Sequence, residues 1–148
     1  MCAFDDSHVR HFILRKDAPV ESSPWGPHFW ACKPGLVETQ QLLVVQVDMP
    51  PHTAHAFHYH PGREEVLWVI EGQGEQWVGR QKMLLGAGDS AFIPTDTVHG
   101  IYNDSPQLLR FLAILSPADT GGPLLVDVQN EEPWRSLRSS SSTSARSA

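Results

Sequence analysis

"HYHPGREEVLWVIEG", residues 58–72, sets two histidines two positions apart, then two adjacent glutamates, then an apolar run closed by glycine. In an extended strand, residues two apart point to the same face, so His58 and His60 present their imidazoles side by side. Glu65 opens the next run and shares a face with Leu67 and Val69, the inward register if that strand lines a barrel. Such groups at the mouth of a strand that is otherwise apolar read either as a wet strand end or as half of a metal site. A fourth donor, His99, stands far downstream in "GDSAFIPTDTVHGIYN", residues 88–103, just after a proline-bearing turn.

The sequence around these stretches reads as short β-rich runs at 42–47, 55–60, 65–70, 75–78, 90–93, 100–103 and 108–115. Turn clusters such as "DMPPH", "EGQG", "GAGD" and "NDSPQ" separate them, and no helical period competes. With 12 prolines and 11 glycines, the pattern predicts an all-β barrel or sandwich. "LLVVQV" (42–47) and "EVLWVI" (65–70) are apolar on both faces, so both faces are expected to be covered, the outer one by a partner subunit.

The 148 residues suit one domain. Residues 1–23 read as a loosely attached N-terminal arm with one short strand at Val9–Leu14, residues 24–134 as the β-domain, and residues 135–148 as a disordered Ser-rich tail. The net charge is −6, and residues 1–134, with 8 basic and 17 acidic residues, carry −9. So acidic a domain is a poor partner for nucleic acid. No targeting segment and no apolar run long enough for a membrane span is visible, and Cys2 and Cys32 are too few for a disulfide scaffold. The expectation is a cytoplasmic protein with free thiols.

The two quoted stretches resemble the two motifs of the cupin superfamily, and the chain is identified as similar to its small single-domain members. The first motif is carried by His58, His60, Glu65 after four residues, and Gly72 after six more. The second is carried by Gly88, Pro94, His99 and Asn103, with five, four and three residues between them. The resemblance spans roughly residues 40–116 and implies a cupin β-barrel, the double-stranded β-helix or jelly roll. The family glycine that precedes the first histidine by six positions is His52 here, and the one that follows the proline by two is Asp96. Both positions serve tight turns where glycine adopts φ > 0 at low cost, and Asp tolerates that region better than most residues.

The resemblance implies that His58, His60, Glu65 and His99 line the barrel mouth and bind one divalent transition metal. Three imidazoles and a carboxylate suit Fe, Mn, Ni, Co, Cu or Zn. Glu64 is the rival for the carboxylate, disfavoured by its spacing to Gly72. His55 falls on the opposite face from His58 if the strand alternates, and is expected at solvent or an interface; His52 is read as a turn residue. Asn103 is expected to fix its loop. Gln76 alternates with Val78 on the barrel-lining face and is a candidate for contact with a ligand, and Glu65 and Gln76 are the candidates for catalytic roles. Trp68, Ile70 and Trp77 take the opposite face, to be covered by the arm or by the second subunit of a homodimer.

Cupins host many chemistries, so the fold alone does not name the reaction. The leading expectation is an oxidoreductase of dioxygenase type acting on a small molecule. The alternatives are a redox-free metal-dependent isomerase or lyase, and a non-catalytic cupin that binds or senses a small, sugar-like ligand.

Overall fold

The structure, a computed structural model, describes residues 10–145; residues 1–9 of the arm, with Cys2, and residues 146–148 of the tail lie outside the described residues. A 3-10 turn at Arg15–Asp17 leads into β1 (Val20–Glu21), β2 (His28–Cys32), β3 (Leu43–Met49), β4 (Thr53–Tyr59), β5 (Glu64–Glu71) and β6 (Gln73–Val78). Then come β7 (Gln81–Gly86), β8 (Ser90–Ile93), β9 (His99–Asn103), β10 (Leu109–Ser116), β11 (Val126–Asp127) and the helix α1 (Trp134–Ala145). The strands make two antiparallel sheets, β1-β2-β3-β10-β5-β8 and β11-β4-β9-β6-β7. They pack face to face as a jelly roll, the all-β architecture expected.

The core lies between the sheets. Along β3, β5 and β10 every second residue is buried: Leu43, Val45, Val47 and Met49, then Glu65, Leu67 and Val69, then Leu109, Phe111, Ala113 and Leu115. That period of two follows from the pleat. The alternate residues, among them Val44, Val66, Trp68, Leu112 and Ile114, form the outer face of the six-stranded sheet. Gly72 closes β5 at φ 81, where a Cβ would lie 2.2 Å from the Leu108 carbonyl oxygen, so no other residue fits that turn.

Several segments differ from the sequence reading. Residues 10–14 form no strand, and Val9 lies outside the described residues; the arm instead joins the sheet through β1, where Val20 pairs with Phe29 and Glu21 with His28. The Glu21 carboxylate accepts from Trp30 Nε1 at 3.0 Å, which pins the pairing. The strands β2 and β7 were not read from the sequence; β7 is an edge strand, mostly exposed.

At the C-terminus, where the sequence reads as a Ser-rich tail from Arg135, α1 begins at Trp134. It lies across the five-stranded sheet. Trp134 and Leu137 pack onto Phe57, Trp77, Tyr102 and Val128. Arg138 donates to Glu75 Oε1 at 2.9 Å, pairs with Asp104, and stacks 4.0 Å from the Tyr102 ring centroid. Two apolar residues three apart and a cation one step on give the helix a face to bury, and that offsets the cost of ordering serines. Trp77 is thereby buried by the chain's own C-terminal segment, whereas Trp68 on the other sheet is 48% exposed.

Candidate metal centre

His58, near the end of β4, pairs directly across the ladder with His99, the first residue of β9. His60 follows β4 by one residue, and Glu65 enters from β5. One ring nitrogen from each of His58, His60 and His99 lies within 4.8 Å of the others, in a group that could hold a metal ion. All three side chains are buried, and so is Glu65, whereas its neighbour Glu64 is exposed. Glu65 Oε2 lies 3.1 Å from His60 Nε2 and 2.9 Å from His99 Nε2.

The backbone fixes the tautomer of each ring. His58 Nδ1 donates to the Ala56 carbonyl at 2.7 Å, His60 Nδ1 to Leu124 at 2.9 Å, and His99 Nδ1 to Thr97 at 2.9 Å. A carbonyl only accepts, so Nδ1 carries the proton in all three rings and Nε2 keeps its lone pair. Ligating histidines are held in this way in metal proteins. His99 Nε2 and Glu65 Oε2 are buried without a hydrogen-bond partner, although they are neighbours. Two close, misaligned lone-pair atoms are costly as a hydrogen-bonding arrangement and natural as co-ligands of a cation.

The electrostatics follow from this crowding. Burial pushes the His58 pKa well below 6.5, and the nearby imidazoles of His55, His99 and His60 push the same way. Burial works against the charge on Glu65, but His60 and His99 outweigh it and hold the carboxyl far below its usual range. Burial also opposes charge on His99, where Glu65 prevails and the pKa is raised. The residues present fit a divalent cation: three Nε2 atoms and an ionised carboxylate converge on one point, and the positive charge that Glu65 favours on His99 is what a bound cation would supply in its place.

The cavity at this centre is about 570 Å³, bounded by apolar side chains of β3, β5 and β10 and by Gln76 on β6. His55 also lines it, which corrects the reading that placed it at solvent or an interface. In the β4–β9 ladder His55 pairs with Ile101 and His58 with His99, so three steps on β4 match two on β9. This β-bulge adds one residue and returns His55 to the face of His58. Their rings stack at 3.6 Å between centroids, and Trp25 stacks on the far side of His55 at 4.0 Å. Opposite the bulge sits Gly100, where a Cβ would meet Phe57 N at 3.1 Å. Burial pushes the His55 pKa down to about 3, so the ring is neutral.

Arg63 was not read as a site residue at all. It is buried, and its guanidinium donates to the carbonyls of Pro117, Ala118 and Pro123 at 3.0–3.3 Å. These belong to the loop whose Leu124 carbonyl orients His60. Asn103, fully buried, fixes its own turn as expected: Nδ2 donates to Met49, Pro50 and Gln107 carbonyls while Oδ1 accepts from Ser105. His52 and Asp96 adopt φ 58 and 61, the left-handed region that glycine enters most cheaply.

The sequence model of the Cupin domain family matches residues 45–115. A protein of Aquifex aeolicus, described only as uncharacterized, is 38% identical over 47% of this chain and 56% of its own length. Quercetin 2,3-dioxygenase of Bacillus subtilis is 31% identical over 52% of this chain, and the match spans 23% of the dioxygenase. Among solved structures, KdgF from Halomonas sp. superimposes with a TM-score of 0.65 at 20% identity, over 74% of this chain and 96% of KdgF.

Proposed function

We propose that this chain, whose residues 45–115 match the Cupin domain family, is a metal-dependent enzyme acting on a small organic molecule. In this reading His58, His60, His99 and Glu65 hold one divalent transition metal. The observation that supports it is the set of Nδ1 donations to backbone carbonyls, which leaves three basic Nε2 atoms beside a buried carboxylate oxygen. A redox-active metal bound there supplies electron transfer with dioxygen, which makes the reading oxygenase-type. The 31% identity to a dioxygenase favours this version. The protein's own part is to seat the substrate and keep water away from it, through the apolar walls of the cavity.

A redox-free isomerase or lyase is the second reading, and His55 favours it. Its neutral ring lines the cavity beside His58, where it can hydrogen-bond to a seated substrate and orient it; with its pKa lowered to about 3 it positions a group rather than taking up a proton. In either version the protein is proposed to be cytoplasmic and homodimeric. Among the described residues no helix is long and apolar enough to cross a membrane.

The test is metal analysis of protein purified without a His-tag, then an oxygen-electrode screen against small enols, diols, thiols and diketones. Iron or another redox metal with oxygen uptake supports the oxygenase version. Stoichiometric zinc with no uptake moves the assignment to the redox-free one. No bound metal at neutral pH removes both.

A further inference from the structure

Gln76 projects from β6 into the cavity and is 3% exposed. Its Nε2 donates to the Trp77 carbonyl at 2.9 Å. Since a carbonyl cannot donate, that bond settles which end of the amide is which. The other end, Oε1, is buried with no hydrogen-bond partner. An unsatisfied buried acceptor is costly, and it is kept where a ligand supplies the missing donor.

The rest of the lining restricts that ligand. Among the described residues the cavity wall contains no lysine and no arginine, while Glu21, Glu65 and Asp127 all contribute to it. Arg63, a buried arginine nearby, donates from Nε and both Nη atoms to three backbone carbonyls and does not line the cavity. A second anionic group on a ligand would find no counter-charge away from the metal ligands, and desolvating it there would be expensive. Val45, Val47, Leu67, Phe111 and Leu115 offer it only apolar contact.

Resting on the metal-site reading above, we infer that the ligand is a molecule whose body beyond its metal-facing end is uncharged and largely apolar, and carries a hydroxyl that donates to Gln76 Oε1. Dicarboxylates and other small dianions are disfavoured. The hydroxyl matters more than the apolar body for selection, because a site built to pair with a polar group rejects the analogue that lacks it.

Three 5-hydroxy-4-pyranones test this, since they share one chelating hydroxy-ketone edge and differ at a single position. Kojic acid carries a hydroxymethyl group there, allomaltol a methyl, and comenic acid a carboxylate. Each is titrated calorimetrically into zinc-loaded wild-type protein and into the Gln76→Leu variant, zinc being redox-silent. Kojic acid is expected to bind about tenfold more tightly than allomaltol, the worth of one hydrogen bond to a buried neutral acceptor, with comenate weakest. In Gln76→Leu the advantage of kojic acid over allomaltol should vanish. The variant's melting temperature without ligand should change little, since losing the Nε2 bond to the Trp77 carbonyl is offset by removing the orphaned acceptor. Equal binding of kojic acid and allomaltol by the wild-type protein, an advantage of kojic acid that persists in Gln76→Leu, or tightest binding of comenate would each overturn the inference. Protein that takes up no zinc overturns the metal reading and this inference with it; zinc-loaded protein that binds none of the three, or that prefers comenate, overturns the inference alone.

Discussion

The carboxylate of Asp96 accepts a hydrogen bond from the backbone N–H of Gly62 at 2.6 Å. It ties the turn that follows His60 to the turn that precedes His99, and so sets two ligand-bearing segments relative to each other. Asp96 does this from φ 61, a conformation that suits glycine better. Two variants separate the bond from the backbone. Asp96→Ala loses the bond and keeps the strain, and is expected to cost about 1–2 kcal/mol. Asp96→Gly loses the bond but relieves the strain, so its cost should be at most about half of that. Urea unfolding of both gives the answer, and a glycine variant as damaged as the alanine one would show that the backbone conformation is not strained.

Removing a donor should remove the metal. His58→Ala, His99→Ala and Glu65→Gln are each expected to lower metal content well below one per chain after dialysis, while Glu64→Gln leaves it unchanged, because Glu64 is exposed. Full metal occupancy in the Glu65 variant, measured by mass spectrometry of metals, would take the carboxylate out of the donor set.

Acid should strip the site and weaken the fold over one pH window. Burial lowers the pKa values of His28 and His58 from 6.5 and that of His55 to about 3. Such a histidine takes up its proton in the unfolded chain before the folded one. Its stabilising contribution is therefore present above about pH 6.5 and is lost as pH falls toward the folded value. His99 runs the other way: burial opposes its charge, Glu65 raises its pKa, and its contribution fades as pH rises. Three lowered rings outweigh one raised one. In metal-free protein, His55 alone should cost on the order of 2 kcal/mol by pH 5. Protons also compete with the metal for the ligand nitrogens, so metal loss should follow the same fall. A melting temperature and metal content that stay flat from pH 7 to pH 4.5 would contradict the neutral-imidazole account.

Arg63 should matter to the metal without touching it. Arg63→Ala frees the carbonyls of Pro117, Ala118 and Pro123, and with them the loop that presents Leu124 to His60. A loss of about 3 kcal/mol in stability is expected, together with a 10–100-fold weaker metal affinity. Arg63→Lys should recover little, since a single ammonium cannot reach three carbonyls in the fork geometry of a guanidinium. Unchanged zinc affinity in a folded Arg63→Ala protein would separate the loop from the site.

How much of this could be read beforehand depends on what breaks a period of two. The alternation along β3, β5 and β10 reports directly which side chains meet in the core, and the jelly roll follows from it. The placement of His58 relative to His60, and of Glu65 relative to Leu67, rests on the same rule. His55 escaped because the bulge in β4 resets the alternation, and the only local trace of it is Gly100 on the facing strand. Arg63 escaped because its partners are backbone carbonyls some 55 residues away, which no side-chain pattern records. The helix left a fainter trace, Trp134 and Leu137 three apart with Arg138 next, submerged in a stretch of serines.

The outer face of the six-stranded sheet gives the last prediction. Trp68 and Phe92 are 48% and 57% exposed there. Trp68 stands opposite Leu112 on one side and Ser90 on the other, and Phe92 stands opposite Val66, which in turn neighbours Ile114. These side chains make a continuous apolar surface over β10, β5 and β8, which a monomer seldom leaves bare. Trp77 no longer needs covering, because α1 packs against it, so the argument for a partner moves to this face. A C2 pairing that buries it is the expected solution. Light scattering at micromolar concentration should then give twice the mass of one chain. Phe92→Glu should shift the protein toward one chain's mass while leaving the circular-dichroism spectrum and the metal content unchanged, since that side chain points away from the cavity. A wild-type protein that elutes at the mass of a single chain would remove the homodimer, and Trp68 and Phe92 would then be tolerated at an open surface.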